Sequence, residues 1–136
     1  MGDRAAIEKI VTNAYAARAA KDLDAIATIF KPDASFHIVG SPATFPAAGQ
    51  AVGEAQLRAA IGSLIQTFDF LDQKMLTSVI EDNKAAVHWR VRVKHNPSGK
   101  TFETELLDVW TVDGGRVASL VQFCDTALVA SVMAGN

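Results

Sequence analysis

Residues 85–95 read Ala85-Ala86-Val87-His88-Trp89-Arg90-Val91-Arg92-Val93-Lys94-His95, and residues 101–112 read Thr101-Phe102-Glu103-Thr104-Glu105-Leu106-Leu107-Asp108-Val109-Trp110-Thr111-Val112. In the first stretch Val87, Trp89, Val91 and Val93 alternate with His88, Arg90, Arg92 and Lys94. A period of two belongs to a strand with one face in a core and the other in water. The second stretch answers it, because Glu103 and Glu105 are opposite in sign to Arg90 and Arg92. Pairing the two antiparallel through Asn96-Pro97-Ser98-Gly99-Lys100 sets these charges across the outer ladder, where each pair contributes about 0.2–1 kcal/mol. The other face is then Phe102, Thr104, Leu106, Asp108 and Trp110.

Outward from this hairpin, residues 71–81 and 116–125 read as two more strands. The turn segments Glu81-Asp82-Asn83-Lys84 and Asp113-Gly114-Gly115 join them to it. Upstream the period changes to that of a helix. Asp3 is placed to cap a first helix bearing Ile7, Ile10, Val11, Ala14 and Tyr15 on one face. Asp22 caps a second, with Leu23, Ile26, Ala27 and Phe30 as its stripe and Pro32 as its end. A short strand follows at 34–39. Residues 40–53 read mainly as loop, with a short extended piece near Phe45. A third helix after Gly53 carries Leu57, Ile61, Leu64, Ile65 and Phe68, and a closing helix covers 126–133. Helices followed by antiparallel strands indicate an α+β architecture, and no linker divides residues 1–136, so one domain is expected.

Composition narrows the function. The 136 residues are 49% hydrophobic and 21% charged, enough apolar material for a buried core. A formal net charge of -2 argues against a nucleic-acid module. The lone Cys124 cannot form an internal disulfide, so a reducing, cytoplasmic setting is expected. Met1-Gly2-Asp3-Arg4 has no basic region leading into an apolar run, and no stretch reaches the roughly 18 apolar residues of a membrane span. No phosphate-binding glycine loop or dinucleotide fingerprint is present, so no cofactor is expected.

Asp108 is the residue out of place. A carboxylate among Phe102, Leu106 and Trp110 must be paired, solvated by a cavity or protonated. Burial raises its pKa and makes it an acid or base for catalysis. It can equally be a structural acceptor for a backbone or indole N–H. His37 becomes a base if it points inward, although alternation turns Phe36 and Ile38 inward instead. His88 and His95 read as solvated, on the basic outer face or a loop, and three histidines without shared spacing make no metal site. Cys124 reads as a structural thiol. Trp89, Trp110 and Phe102 read as core or cavity wall, and Gln122 as a polar wall residue able to orient Asp108.

Tyr15, Asp22-Leu23-Asp24, Ile29-Phe30, Pro32-Asp33-Ala34, Gly53, Asp108-Val109-Trp110 and Asp113-Gly114-Gly115-Arg116-Val117 together resemble the ketosteroid isomerase and SnoaL-like branch of the nuclear transport factor 2-like superfamily. The resemblance implies a cone-shaped α+β barrel, with three N-terminal helices packed in a strongly curved, mixed but mostly antiparallel sheet around a ligand cavity. It implies that Asp108 faces inward as a hydrogen-bond donor to an oxyanion and that Tyr15 is the oxyanion-binding tyrosine. The steroid isomerase is itself a standard case of a neutral buried acid. The isomerase base falls at Ile38, which cannot take a proton, so steroid isomerisation in the strict sense is not expected. Gln122-Phe123-Cys124-Asp125-Thr126 resembles the segment in which SnoaL-like cyclases carry an acid, making Asp125 a further candidate; it is also well placed to cap the last helix.

The expected function is cofactor-independent acid/base chemistry, of isomerase, cyclase or hydrolase type, on a small apolar carbonyl or epoxide compound. Asp108, Tyr15, His37 and Asp125 are its candidate catalytic residues, and Trp89, Trp110, Gln122, Phe102, Ile38 and Leu106 its candidate cavity wall. The alternative is a binding module without chemistry. Leu107 and Val109 face outward, and a homodimer through that face is expected.

Overall fold

A computed structural model describes residues 4–135. The elements run α1 (Arg4–Ala19), α2 (Leu23–Ile29), β1 (Phe30–Ile38), β2 (Gly49–Val52), α3 (Glu54–Thr67), β3 (Phe68–Glu81), β4 (Lys84–His95), β5 (Thr101–Asp113), β6 (Arg116–Cys124) and α4 (Thr126–Met133). The expected Asp3 cap lies outside the described residues.

The alternation in 85–95 becomes strand β4, with Ala85, Val87, Trp89, Val91 and Val93 buried. Its register against β5 pairs Arg90 with Glu105 and Arg92 with Glu103, as the charges require. The side-chain contacts themselves run diagonally: His88 Nε2 meets Glu105 at 2.6 Å and Arg90 Nε pairs with Glu103 at 3.8 Å. Strand twist brings the i, j−2 neighbour within reach of these long side chains. The β5–β6 turn holds Gly114 at φ 59° and Gly115 at φ 81°. Two successive left-handed residues match the right-handed twist of the flanking strands.

The strands form one sheet in the order β2-β1-β6-β5-β4-β3. The pairing of β1 with β6 is parallel and the other four are antiparallel. The sheet is mixed and curved, but it does not close: β2 and β3 are free edges, so the expected barrel is an open cone. α1 packs on α2 and β3, and α3 on β1, β2 and β3. Ile7, Val11, Leu57 and Ile61 from these helices share one core with Val87, Val91, Leu106 and Val117 of the sheet.

The boundaries of the first half differ from the sequence reading. α2 ends at Ile29, and Phe30 opens β1 with its N–H bonded to the Ala27 carbonyl. Pro32 therefore lies inside a strand. It falls where the β1–β6 register shifts between Phe30 and Ser35, a place that tolerates a missing N–H. β3 begins directly at Phe68, and its alternation is obscured by irregularities at 70–72 and 75–77. The extended piece expected near Phe45 is β2 at Gly49–Val52. Phe45 itself is buried in the loop before it.

Asp22 caps the seven-residue α2 by accepting the Ala25 N–H at 3.0 Å. Asp22→Ala will lower stability by about 1 kcal/mol, or roughly 3–5 °C in Tm, measured by thermal unfolding.

Candidate functional site

Backbone pairing places the first two groups of the site. Asp108 on β5 and Gln122 on β6 are direct register partners, and Gln122 Nε2 donates to Asp108 Oδ1 at 3.0 Å. The third group comes from the helical layer. Tyr15, buried on α1, donates its hydroxyl to Asp108 Oδ2 in a short hydrogen bond. The tyrosine ring is braced from behind by Trp89, stacked at 3.8 Å between centroids with planes 12° apart.

Asp108 is completely buried, at 0% exposure. Burial drives its carboxyl up from 3.8 to about 6, against the pull of the hydrogen bonds from Tyr15 and Gln122. Burial also raises the Tyr15 phenol well above its ordinary value, and the neighbouring Asp108 charge adds to this. Tyr15 thus stays a proton donor across the physiological range, while Asp108 is the group able to change protonation near neutrality.

Beside the pair lies a cavity of about 120 Å³. That is the scale of an engineered cavity that takes up benzene. Ile38, Phe102, Leu106, Trp110 and Gln122 line it together with Tyr15 and Asp108. Phe45 from the β1–β2 loop and Val129 from α4 contribute further apolar wall.

Arg18, one turn beyond Tyr15, also lines this cavity and was not foreseen from sequence. It could have been found, because Ile7, Val11, Ala14 and Arg18 follow the helical stripe of α1. Its guanidinium carbon sits 4.2 Å from the centre of the Phe70 ring. Nη2 donates to the carbonyls of Leu64 at 3.1 Å and Phe68 at 2.8 Å. Burial lowers its pKa to about 10, with Asp69 and Tyr15 opposing, so it remains a cation at neutral pH.

A model of the SnoaL-like domain matches residues 11–120. The chain belongs to the SnoaL-like domain family. No curated protein matches this SnoaL-like chain at a significant level. Among solved structures, an NTF2-like protein from Burkholderia thailandensis is 27% identical, with a TM-score of 0.75 over 92% of this chain and 95% of that one. A candidate isomerase from Bacillus subtilis aligns over 100% of this chain and 98% of its own, with a TM-score of 0.88 and 13% identity. A Catenulispora acidiphila protein of ketosteroid isomerase-like fold, solved with trimethylamine, covers 83% of this chain and 82% of its own at a TM-score of 0.70 and 12% identity. The last two likenesses speak for the NTF2-like fold alone.

Several candidate residues of this SnoaL-like chain lie away from the cavity. His37 alternates with the buried Phe36 and Ile38 and is absent from the cavity wall. Asp125 is exposed and caps α4 by accepting the Leu128 N–H at 3.1 Å. Trp89 stands behind Tyr15 rather than on the wall. His95 corrects the expectation of a solvated residue: it shares the inward parity of Val91 and Val93, is buried beside Phe68, and bonds Ser98 Oγ through Nδ1 at 2.8 Å. Cys124 does line the cavity, but burial pushes its thiol up, away from nucleophilic activation. Among the described residues, no cluster of three or more His, Cys, Asp or Glu could hold a metal ion.

Because the folded protein binds the Asp108 proton more tightly than the unfolded chain does, the contribution of this group to stability falls as pH rises from 4 to 6. A shift from 3.8 to about 6 corresponds to about 3 kcal/mol. Asp108→Asn keeps the shape and cannot ionise. Denaturant titrations from pH 4 to 8 will show the variant gaining on the wild type by up to that amount as pH rises, with the change complete above pH 7.

Proposed function

We propose that this SnoaL-like protein performs cofactor-independent proton transfer on a small, mostly apolar carbonyl or epoxide compound, with Asp108 as the acid/base group. The observation that supports this most is a fully buried carboxyl on the wall of an apolar cavity, held by neutral donors from Tyr15 and Gln122. With a pKa of about 6, Asp108 is mostly ionised at pH 7 yet close enough to neutrality to accept and return a proton. On a carbonyl substrate, its Oδ takes the proton from the carbon beside the carbonyl. The C–H electron pair becomes the enolate double bond, and the carbonyl oxygen gains the negative charge. Protonated Asp108 no longer draws on the Tyr15 hydroxyl, which is freed to donate to that oxygen. Return of the proton to another carbon completes an isomerisation. The indole N–H of Trp110, buried and without a partner among the described residues, is a further donor on the cavity wall.

The inward Ile38, at the position of the isomerase base, favours a second reading in which the cavity binds without chemistry. Deuterium exchange into a panel of small cyclic ketones, followed by NMR, separates the two. The acid/base reading expects catalysed exchange with a midpoint near pH 6 and a loss of about 10²- to 10⁴-fold in Asp108→Asn, with ketone binding retained. Binding by the wild type with no exchange above the buffer rate would establish the second reading.

The exposed sheet face is proposed to pair two copies. Leu107 and Phe123 are register partners that remain 41% and 43% exposed, a contiguous apolar spot suited to isologous contact. Light scattering at micromolar concentration should give twice the chain mass, and Leu107→Lys should return it to the monomer. A half-buried free Cys124 fits a reducing, cytoplasmic setting.

A further inference from the structure

Arg18 brings a second charge to the cavity, and its bonding is incomplete. A guanidinium carries five N–H donors in a planar fork. Nη2 is spent on the Leu64 and Phe68 carbonyls at the junction of α3 and β3. Nη1 is buried and has no hydrogen-bond partner among the described residues. No carboxylate there lies within ion-pair distance of it. Asp69 favours its charge from nearby, but its Oδ1 is taken by Lys21 Nζ at 2.7 Å and by Asn96 Nδ2 at 2.9 Å. The two carbonyls and the Phe70 ring below fix the plane of the fork. A cation held rigidly on the wall of an apolar cavity with one amino group unbonded is a preorganised receptor for an anion, and the Nη1 donors suit a carboxylate oxygen.

The placement of the two charges also orders the ligand. Asp108 meets the cavity through Tyr15, and Arg18 lies one helical turn further along α1, toward Phe70 and Phe68. The strand register puts Phe70 opposite Val93 and Val93 opposite Phe102, so Arg18 sits at the Phe102 level of β5 while Asp108 lies six residues along it. Resting on the reading of this cavity as a substrate site, we infer that Arg18 is its anion-binding residue and that the substrate is a small carbonyl compound bearing a carboxylate, which Nη1 receives. The apolar body of the substrate lies between, and its reactive carbonyl faces Asp108. Arg18 is a specificity residue in this scheme and takes no part in the proton transfer.

The test uses benzoate and benzamide, which share size and shape and differ in charge, titrated calorimetrically into the intact protein at pH 7.5. The wild type is expected to bind benzoate at least tenfold more tightly. Arg18→Gln keeps an N–H donor for the junction carbonyls; it should erase that preference while leaving benzamide affinity within twofold, and Arg18→Lys should keep part of it. Thermal unfolding of each variant confirms folding, and the wild-type comparison stands even if a variant fails to fold. Equal affinity of the wild type for both probes, no binding of either, or a benzoate preference unchanged in Arg18→Gln overturns the inference. Asp108→Asn should retain the preference for benzoate. Loss of ketone exchange in that variant alongside equal probe affinities would sink the anion site and leave the acid/base reading intact, and the reverse pattern would do the opposite.

Discussion

The organising constraint of this molecule is the cost of keeping one carboxyl group out of water. An apolar wall offers Asp108 no bulk solvation, so the group survives only because donors converge on both of its oxygens. One donor is supplied by strand pairing, since Gln122 is its cross-strand neighbour. The other is supplied by packing of α1 onto the sheet, which in turn requires the Tyr15 ring to find Trp89. Satisfying a single buried group therefore sets conditions on β4, β5, β6 and α1 together. The compensation is incomplete, and the carboxyl remains a weaker acid than it is in water.

The two faces of the sheet divide the work. The outer face carries charges that align β4 with β5 through exposed, diagonal pairs such as Arg90 with Glu103. Such pairs contribute little to stability, but a slip of one residue would turn Val87, Trp89 and Val91 toward water and set charges inside. Inner-face chemistry thus depends on outer-face register. The parity that buries Trp110 is the parity that buries Asp108.

This dependence explains how much was legible in the sequence. The β4–β5 hairpin, the inward Asp108 and the outward glutamates follow from alternation alone, and Gln122 and Tyr15 follow from those plus the family resemblance. The same alternation placed His95 inside, but reading it as part of a loop hid that. The start of β3 was obscured because extra residues at its irregularities break the period at Leu71 and again near Leu76. Phe45 is buried from within a segment that has no periodicity at all. Arg18 was overlooked because residue type overruled position: it lies on the apolar stripe of α1, and the carbonyls at the α3–β3 junction and an aromatic ring make that burial tolerable. Local pattern reveals which face a residue occupies, whereas the partners that make a polar residue acceptable there come from distant parts of the chain.

Tyr15 and Arg18 belong to α1, whereas Asp108 and Gln122 belong to the sheet. The constellation therefore exists only while helix and sheet stay docked across the core they share. Lifting the N-terminal helix by a few ångströms would strip the carboxyl of its phenolic donor and carry away the guanidinium in the same movement. A local opening that needs less free energy than global unfolding would dismantle the constellation while the sheet persists.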